Sequence, residues 1–264
     1  MSSNSTLQTL DTPAWRSGFS NMLRKEIAAW KSTSRWWVQS LVWLVILNGM
    51  LALLLWVIPA ADPGNAPPAR EAFEIFMAIF TISAIGAMVL MQGAIVGEKN
   101  SGTAAWIMSN PVSRSAFVLS KLVANAAAIL IIIVLLQGSI AYVQFTLHGE
   151  FTPQLGSFAA AMGLQGLSLM FYVTLALMLG TFFSSRGPVI GISIAILLVQ
   201  DLMGSFLAKL LPWLTGVLPD RLIGMSMSVG NGEPLASINP LLSAALLSIL
   251  FVSVAVWRFQ REEF

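Results

Sequence analysis

The sequence predicts an all-α integral membrane fold. It has six transmembrane helices, an N-terminal interfacial helix, and a short cytoplasmic helix between the second and third spans. Three observations predict this. Of the 264 residues, 56% are hydrophobic and only 10% charged, where soluble domains carry about 25% charged residues. The charges leave six charge-poor intervals, and a helix needs about 20 apolar residues to cross a ~30 Å hydrocarbon core. The basic residues between those intervals are unevenly shared.

The elements follow in order. Residues 12–35 are expected to form an interfacial helix. On a helical wheel Trp15, Phe19, Met22, Leu23, Ile27 and Trp30 share one face, while Arg24, Lys25 and Lys31 lie off it. Glu26 falls inside the apolar arc. It is either held in an ion pair with a nearby Arg or Lys or turned to a cytoplasmic partner. Spans are expected at 36–58, 74–96, 117–145, 156–183, 188–210 and 240–257, in a single transmembrane domain. Pro188 and Pro240 sit at helix starts, where a missing N–H costs nothing. The remaining prolines, Pro59 and Pro111 among them, are expected in loops.

Orientation follows from the cations. With the N-terminus inside, eleven of the fourteen Lys and Arg residues fall in cytoplasmic segments. Only Arg70, Lys209 and Arg221 fall outside, so both termini are expected in the cytoplasm. The polar Met1–Asp11 stretch has no h-region and does not read as a cleaved signal peptide.

Two connections are more than turns. The loop 98–114 holds a short apolar stretch from Ala104 to Met108. Ser101 or Thr103 is a possible cap, and Asn110-Pro111 a stop. Glu98 and Arg114 flank this loop and could brace it. The outer segment from Pro212 to Asn239 is either a cap over an opening or an interfacial helix.

Several chemistries are excluded. There are no cysteines and one histidine, His148, so thiolate and His-cluster metal sites cannot form. No phosphate-binding G-x-x-x-x-G-K-[ST] occurs. Acids within the spans are few, against a proton relay. The net charge of +2 gives no reason to expect nucleic acid. The chain is not expected to be an enzyme.

Residues Val96–Lys121, VGEKNSGTAAWIMSNPVSRSAFVLSK, resemble the first cytoplasmic loop of ABC-2 type permeases, the membrane subunits of type V ABC exporters. The matching positions are Glu98, Gly102, Thr103, Trp106–Ser109, Pro111, Val112, Ser113, Arg114 and Lys121. Arg24-Lys25-Glu26-Ile27, Gly180–Val189 and Trp257–Phe264 are similar to the family's elbow start, second cytoplasmic loop and charged tail.

The resemblance implies a permease that pairs with a second permease subunit, alike or different, and with a separate ATPase that binds ATP and Mg. No cofactor is implied in this chain. The location implied is a prokaryotic inner membrane. The loop helix would couple the ATPase to the bundle, with Glu98, Gly102, Thr103, Trp106, Pro111 and Arg114, and with Glu26 and Arg186 nearby. Trp106 either contacts the ATPase or lies among lipid headgroups.

In that family spans two and five line a cavity at the dimer axis. Phe73, Phe76, Phe80 and Met77, with Met88 and Met91, then form either a soft apolar wall or ordinary packing against lipid or a neighbouring helix. Gln92 and Gln200 are further cavity candidates. Asn125, Gln137 and Gln165, with Gln92, read as interhelical hydrogen bonders. Asp201 lies about 20 Å into the core, where an unpaired carboxylate costs on the order of 3 kcal/mol. It reads either as part of an outer gate or as a structural hydrogen bonder. Gly187 and Gly191 permit close helix approach. The alternative to an exporter is a non-transporting scaffold or immunity component on the same fold.

Overall fold

The computed structural model describes residues 17–109, 111–210 and 219–263, with most side chains of 201–210 outside that description. Trp15, Asn110 and Trp213 therefore lie outside it, as does the side chain of Asp201. Every regular element among the described residues is helical. They are α1 (Phe19–Lys31), α2 (Arg35–Ala61), α3 (Ala69–Asn100), α4 (Thr103–Met108), α5 (Arg114–His148), α6 (Leu155–Phe182), α7 (Arg186–Leu210), α8 (Arg221–Gly230) and α9 (Asn239–Gln260). Five of them, α2, α3, α5, α6 and α9, are long and apolar enough to cross a membrane. The first part of α7, Arg186–Gln200, is also apolar. The chain is a multi-pass membrane protein.

The helices overrun the charge-free intervals. Lys121 lies inside α5 and Glu74 inside α3, because charge marks the edge of the hydrocarbon and not the end of the hydrogen-bonded helix. Pro59 was expected in a loop and instead occupies the last turn of α2. A proline ring there clashes with the carbonyl four residues back in a regular α-helix. The preceding stretch Leu53–Val57 is π-helical, which shifts those carbonyls. His148, beyond the expected end of the third span at residue 145, ends α5, its ring edge-on to Trp56.

The bundle is built around α6. This helix is apolar on all sides and buried along most of its length, as a helix surrounded by others must be. It packs against α3, α8 and α9. Gln165 on α6 donates from Nε2 to Ser226 Oγ on α8 at 2.8 Å and to the Met77 carbonyl on α3 at 3.0 Å. Between α2 and α5, Asn48 donates to Gln137 Oε1 and Gln144 donates to Asn48 Oδ1, both at 2.8 Å. Within a membrane such groups have no water to turn to, so the pairs fix helix register.

Close approach is set by glycine at two places. A Cβ on Gly86 would meet the Trp43 ring at 2.0 Å, and one on Gly230 would meet Phe73 at 2.2 Å. By contrast, Gly187 and Gly191 have nothing within 4 Å of a Cβ, so this chain alone does not use that pair for packing.

The described part of the segment between α7 and α9 forms α8, which buries Leu222, Met225 and Ser226. It is tied to α3 through Asn231, which donates to Glu74 Oε1 at 2.8 Å. The outward faces of α2 and α9 expose Leu41, Val45, Leu53, Leu246 and Ile249, the apolar surface that lipid covers. Trp36 and Trp37 begin α2 and Trp257 nears the end of α9, all about half exposed. They mark an interfacial belt at the end of the bundle where most cations lie.

Candidate functional site

The basic end of the bundle is organised by Lys121. Its side chain is 2% exposed, and Nζ lies 2.8 Å from Glu26 Oε1 on α1 and 2.8 Å from Glu98 Oε1 at the end of α3. Lys25 reaches the same Glu98 oxygen at 3.2 Å. A buried cation is costly unless it is paired and hydrogen-bonded, and Lys121 has two carboxylates. One turn further along α5, Asn125 Oδ1 accepts from Trp30 Nε1 at 3.1 Å. Glu26 and Trp30 are thus spaced by four on α1 and meet Lys121 and Asn125, spaced by four on α5. This places Glu26 in an ion pair with Lys121, as the presence of an acid on an apolar arc suggested.

α4 is held from both sides. Gly102, at φ +71°, starts it in the left-handed conformation that glycine adopts freely. The cap is therefore backbone geometry. Ser101 and Thr103, expected as caps, instead hydrogen-bond to each other at 2.8 Å. Ala104 and Ile107 are buried, while Trp106 is 70% exposed.

After the helix, the Pro111 carbonyl accepts from Ser17 Oγ at 2.7 Å, and Ser113 N–H donates to the Ser17 carbonyl at 3.0 Å. Ser113 Oγ then caps α5 by accepting from Ala116 N–H. Glu98 and Arg114 reach different partners: Glu98 pairs with the two lysines, and Arg114 donates to the Gln260 carbonyl on α9. Phe117 stacks on Phe259 at 4.9 Å. Lys99 pairs with Glu262 at 2.7 Å. The start of α1, the loop after α4, the start of α5 and the end of α9 thus form one braced unit.

Beside this unit lies a cavity of about 470 Å³ between α1, α2, α3, α5 and α7. Glu26, Glu98, Gln92 and Arg186, all expected near coupling or cavity functions, line it together. Lys25, Trp30, Arg35, Lys121 and Asn125 line it with them, and nothing in their sequence spacing groups these five into one site. The Arg186 guanidinium lies against α3, 3.6 Å from where a Cβ on Gly93 would stand. Among the described residues, neither it nor the Arg35 guanidinium has an ion pair or hydrogen bond. Gln92 Oε1 and Glu98 Oε2 are buried without a hydrogen-bond partner, so Gln92, unlike Asn125 and Gln137, bridges no helices through its oxygen.

The aromatic candidates lie elsewhere. Phe73, Phe76, Phe80 and Met77 are at most 1% exposed. They pack inside the chain, with Phe73 5.7 Å from Phe145 and 5.8 Å from Phe151, ring centre to ring centre. They line a helix junction, and none of them lines the cavity at the basic end. Gln200 is buried on α7, its Oε1 without a partner.

Residues 48–264 match the family model described as "Protein of unknown function (DUF2705)". The chain belongs to this family. It is 27% identical over 260 residues to the uncharacterized transmembrane protein YxlG of Bacillus subtilis, covering 92% of this chain and 97% of that protein. It is 28% identical over 244 residues to the probable ABC transporter permease protein NosY of Pseudomonas aeruginosa, covering 81% of this chain and 87% of that one.

Proposed function

We propose that the chain is the membrane-spanning permease subunit of an ATP-driven ABC exporter of the ABC-2 type. It pairs with a second permease subunit and with a separate ATPase that holds ATP and Mg. Substrate moves from the cytoplasm or inner leaflet outward by alternating access. The basic end of the bundle is cytoplasmic in this reading, by the distribution of cations along the chain.

The observation that carries the proposal is the presentation of α4. A two-turn helix buries Ala104 and Ile107 against its own bundle and turns a 70% exposed indole outward, with both flanks fixed to α1, α5 and α9. A lever of this kind passes a movement at its exposed face to the helices behind it, and switching requires such a differential contact in each state. The similarity to a probable ABC transporter permease over 81% of this chain supports the same reading. Glu26, Lys121 and Glu98 transmit the movement to α1 and α3, and Asp201 on α7 serves an outer gate. The test is co-purification. The tagged chain in detergent retains an untagged ABC ATPase encoded beside it, and loss of that ATPase from the wild-type complex under all conditions overturns the reading.

A further inference from the structure

The cavity at the basic end has a chemical inventory that its own side chains leave unsatisfied. Four cations, Lys25, Arg35, Lys121 and Arg186, line it against two carboxylates, Glu26 and Glu98. The lysines are spent on the carboxylates. The two guanidiniums are left over, and guanidinium is the side chain that binds phosphate with paired, directed hydrogen bonds. On the same walls Gln92 Oε1 and Glu98 Oε2 are buried acceptors with no donor. A ligand that satisfies both sets carries an anion and, a few ångströms away, an O–H or N–H donor.

The shape adds a third requirement. From Glu98 the lining continues along α3 through Ala94 and Leu90 to Val89. That is nine residues of helix, or about 14 Å at 1.5 Å per residue. Val89 is 45% exposed, so the far end of the cavity is an apolar wall open to the side. Polar groups converge at one end and an apolar track leads away from them, which suits an amphiphile better than a free ion. Basic pockets between transmembrane helices at a membrane face are a known setting for lipid headgroups.

We propose that this cavity binds the headgroup of a phosphodiester lipid. Arg35 and Arg186 hold the phosphate, the headgroup's distal hydroxyl or ammonium donates to Gln92 Oε1 and Glu98 Oε2, and an acyl chain lies along Leu90 and Val89. The site is formed by one chain. It stands on the chemistry of the cavity and not on docking of α4 to an ATPase. Lipid retention is read on the isolated chain, so failure here and failure of ATPase co-purification are separate results.

The experiment is native mass spectrometry of the purified full-length chain. It is delipidated in detergent and then incubated with dioleoyl phosphatidylglycerol, phosphatidylethanolamine or phosphatidylcholine. The first two carry a distal donor, and phosphatidylcholine carries the same phosphate without one. The expected result is a single retained lipid, with the donor-bearing headgroups favoured about tenfold over phosphatidylcholine. Arg35→Gln/Arg186→Gln lowers retention of all three. Gln92→Ala, a change of one neutral side chain, erases most of the preference between headgroups. Millimolar inorganic phosphate leaves the bound lipid in place.

Unchanged retention in the double arginine variant overturns the proposal. Equal retention of phosphatidylcholine by the wild type overturns the role given to Gln92 and Glu98. Displacement of lipid by inorganic phosphate shows a soluble-anion site and overturns the lipid assignment.

Discussion

Lys121 Nζ and Glu26 Oε1 lie 2.8 Å apart across the contact between α5 and α1, with the lysine 2% exposed. This one pair converts an amphipathic surface helix into a fixed part of the bundle. Glu98 shares the same ammonium at 2.8 Å, so α1, α3 and α5 meet at a single buried proton donor. Removing the lysine leaves two mostly buried carboxylates facing each other without their shared cation.

Lys121→Met is therefore expected to destabilise the chain by about 3 kcal/mol or more, because breaking a buried pair leaves uncompensated charge. Glu26→Gln added to Lys121→Met relieves part of that loss by removing one of the two stranded carboxylates. Thermal unfolding in detergent, followed by intrinsic fluorescence, reads both variants. Additive losses in the double variant would show that the two groups do not interact.

Gly86→Val is also expected to destabilise the chain. The space for a Cβ is already filled by the Trp43 ring at 2.0 Å, so α2 must move away from α3 or the indole must leave its site. Overpacking of this kind costs about 1–3 kcal/mol. Trp43→Leu in the Gly86→Val background restores part of the stability, since it removes the atoms in the way. A wild-type melting temperature in Gly86→Val alone would contradict this packing.

The spans were legible in the sequence because bilayer thickness fixes length, and length with low charge is visible in one dimension. The apolar face of α1 was legible from its period and the loop helix from its apolar stretch before Pro111, but not its glycine start, since Ser101 and Thr103 compete for that position in one dimension. The composition of the cavity was not. Glu26 with Trp30 and Lys121 with Asn125 are each spaced by four, so one polar stripe on each helix was readable. Nothing in the chain says that 26 faces 121 across ninety-five positions. Phe73, Phe76 and Phe80 stayed open between a cavity wall and helix packing for the opposite reason. Their i, i+3, i+7 spacing defines a face, and the face is real. What it meets, the ring of Phe145 and its neighbours, depends on where α5 and α6 happen to pack. Pro59 was misplaced because the proline rule assumes regular α-helix, and the π-helical stretch before it escapes the rule.

Orientation is testable because the chain contains no cysteine. Ser101, Asn65 and Glu233 are all exposed in loops, Ser101 at the basic end and the other two at the opposite end. Single Cys replacements at Asn65 and Glu233 are expected to react with an impermeant maleimide in intact cells. Ser101→Cys is expected to react only after the membrane is opened. Labelling of Ser101→Cys in intact cells would reverse the bundle and place α4 outside, away from any ATP.

The last prediction concerns Trp106. An indole that is 70% exposed on a two-turn helix is an expensive way to cover a solvated surface, and aromatic anchors dominate the energetics of interfaces. The helix behind it is fixed by Gly102, by the contacts of Ser17 with Pro111 and Ser113, and by Arg114 at Gln260. Truncating the side chain alters the exposed face and leaves those backbone and side-chain hydrogen bonds of the brace in place. Trp106→Ala is expected to insert in the membrane and to melt within a few degrees of wild type. In the complex with its ATPase it is expected either to lose the ATPase during purification or to hydrolyse ATP without transport. An interface anchor of this type costs about 2 kcal/mol or more on truncation, which is more than about thirtyfold in affinity. Trp106→Phe, which keeps a ring at the contact, recovers part of the assembly. Were Trp106 seated among lipid headgroups instead, the alanine variant would assemble and couple fully, and its indole fluorescence in the wild type would respond to vesicle composition and not to the ATPase. Those two readouts separate a docking residue from a membrane anchor at the same position.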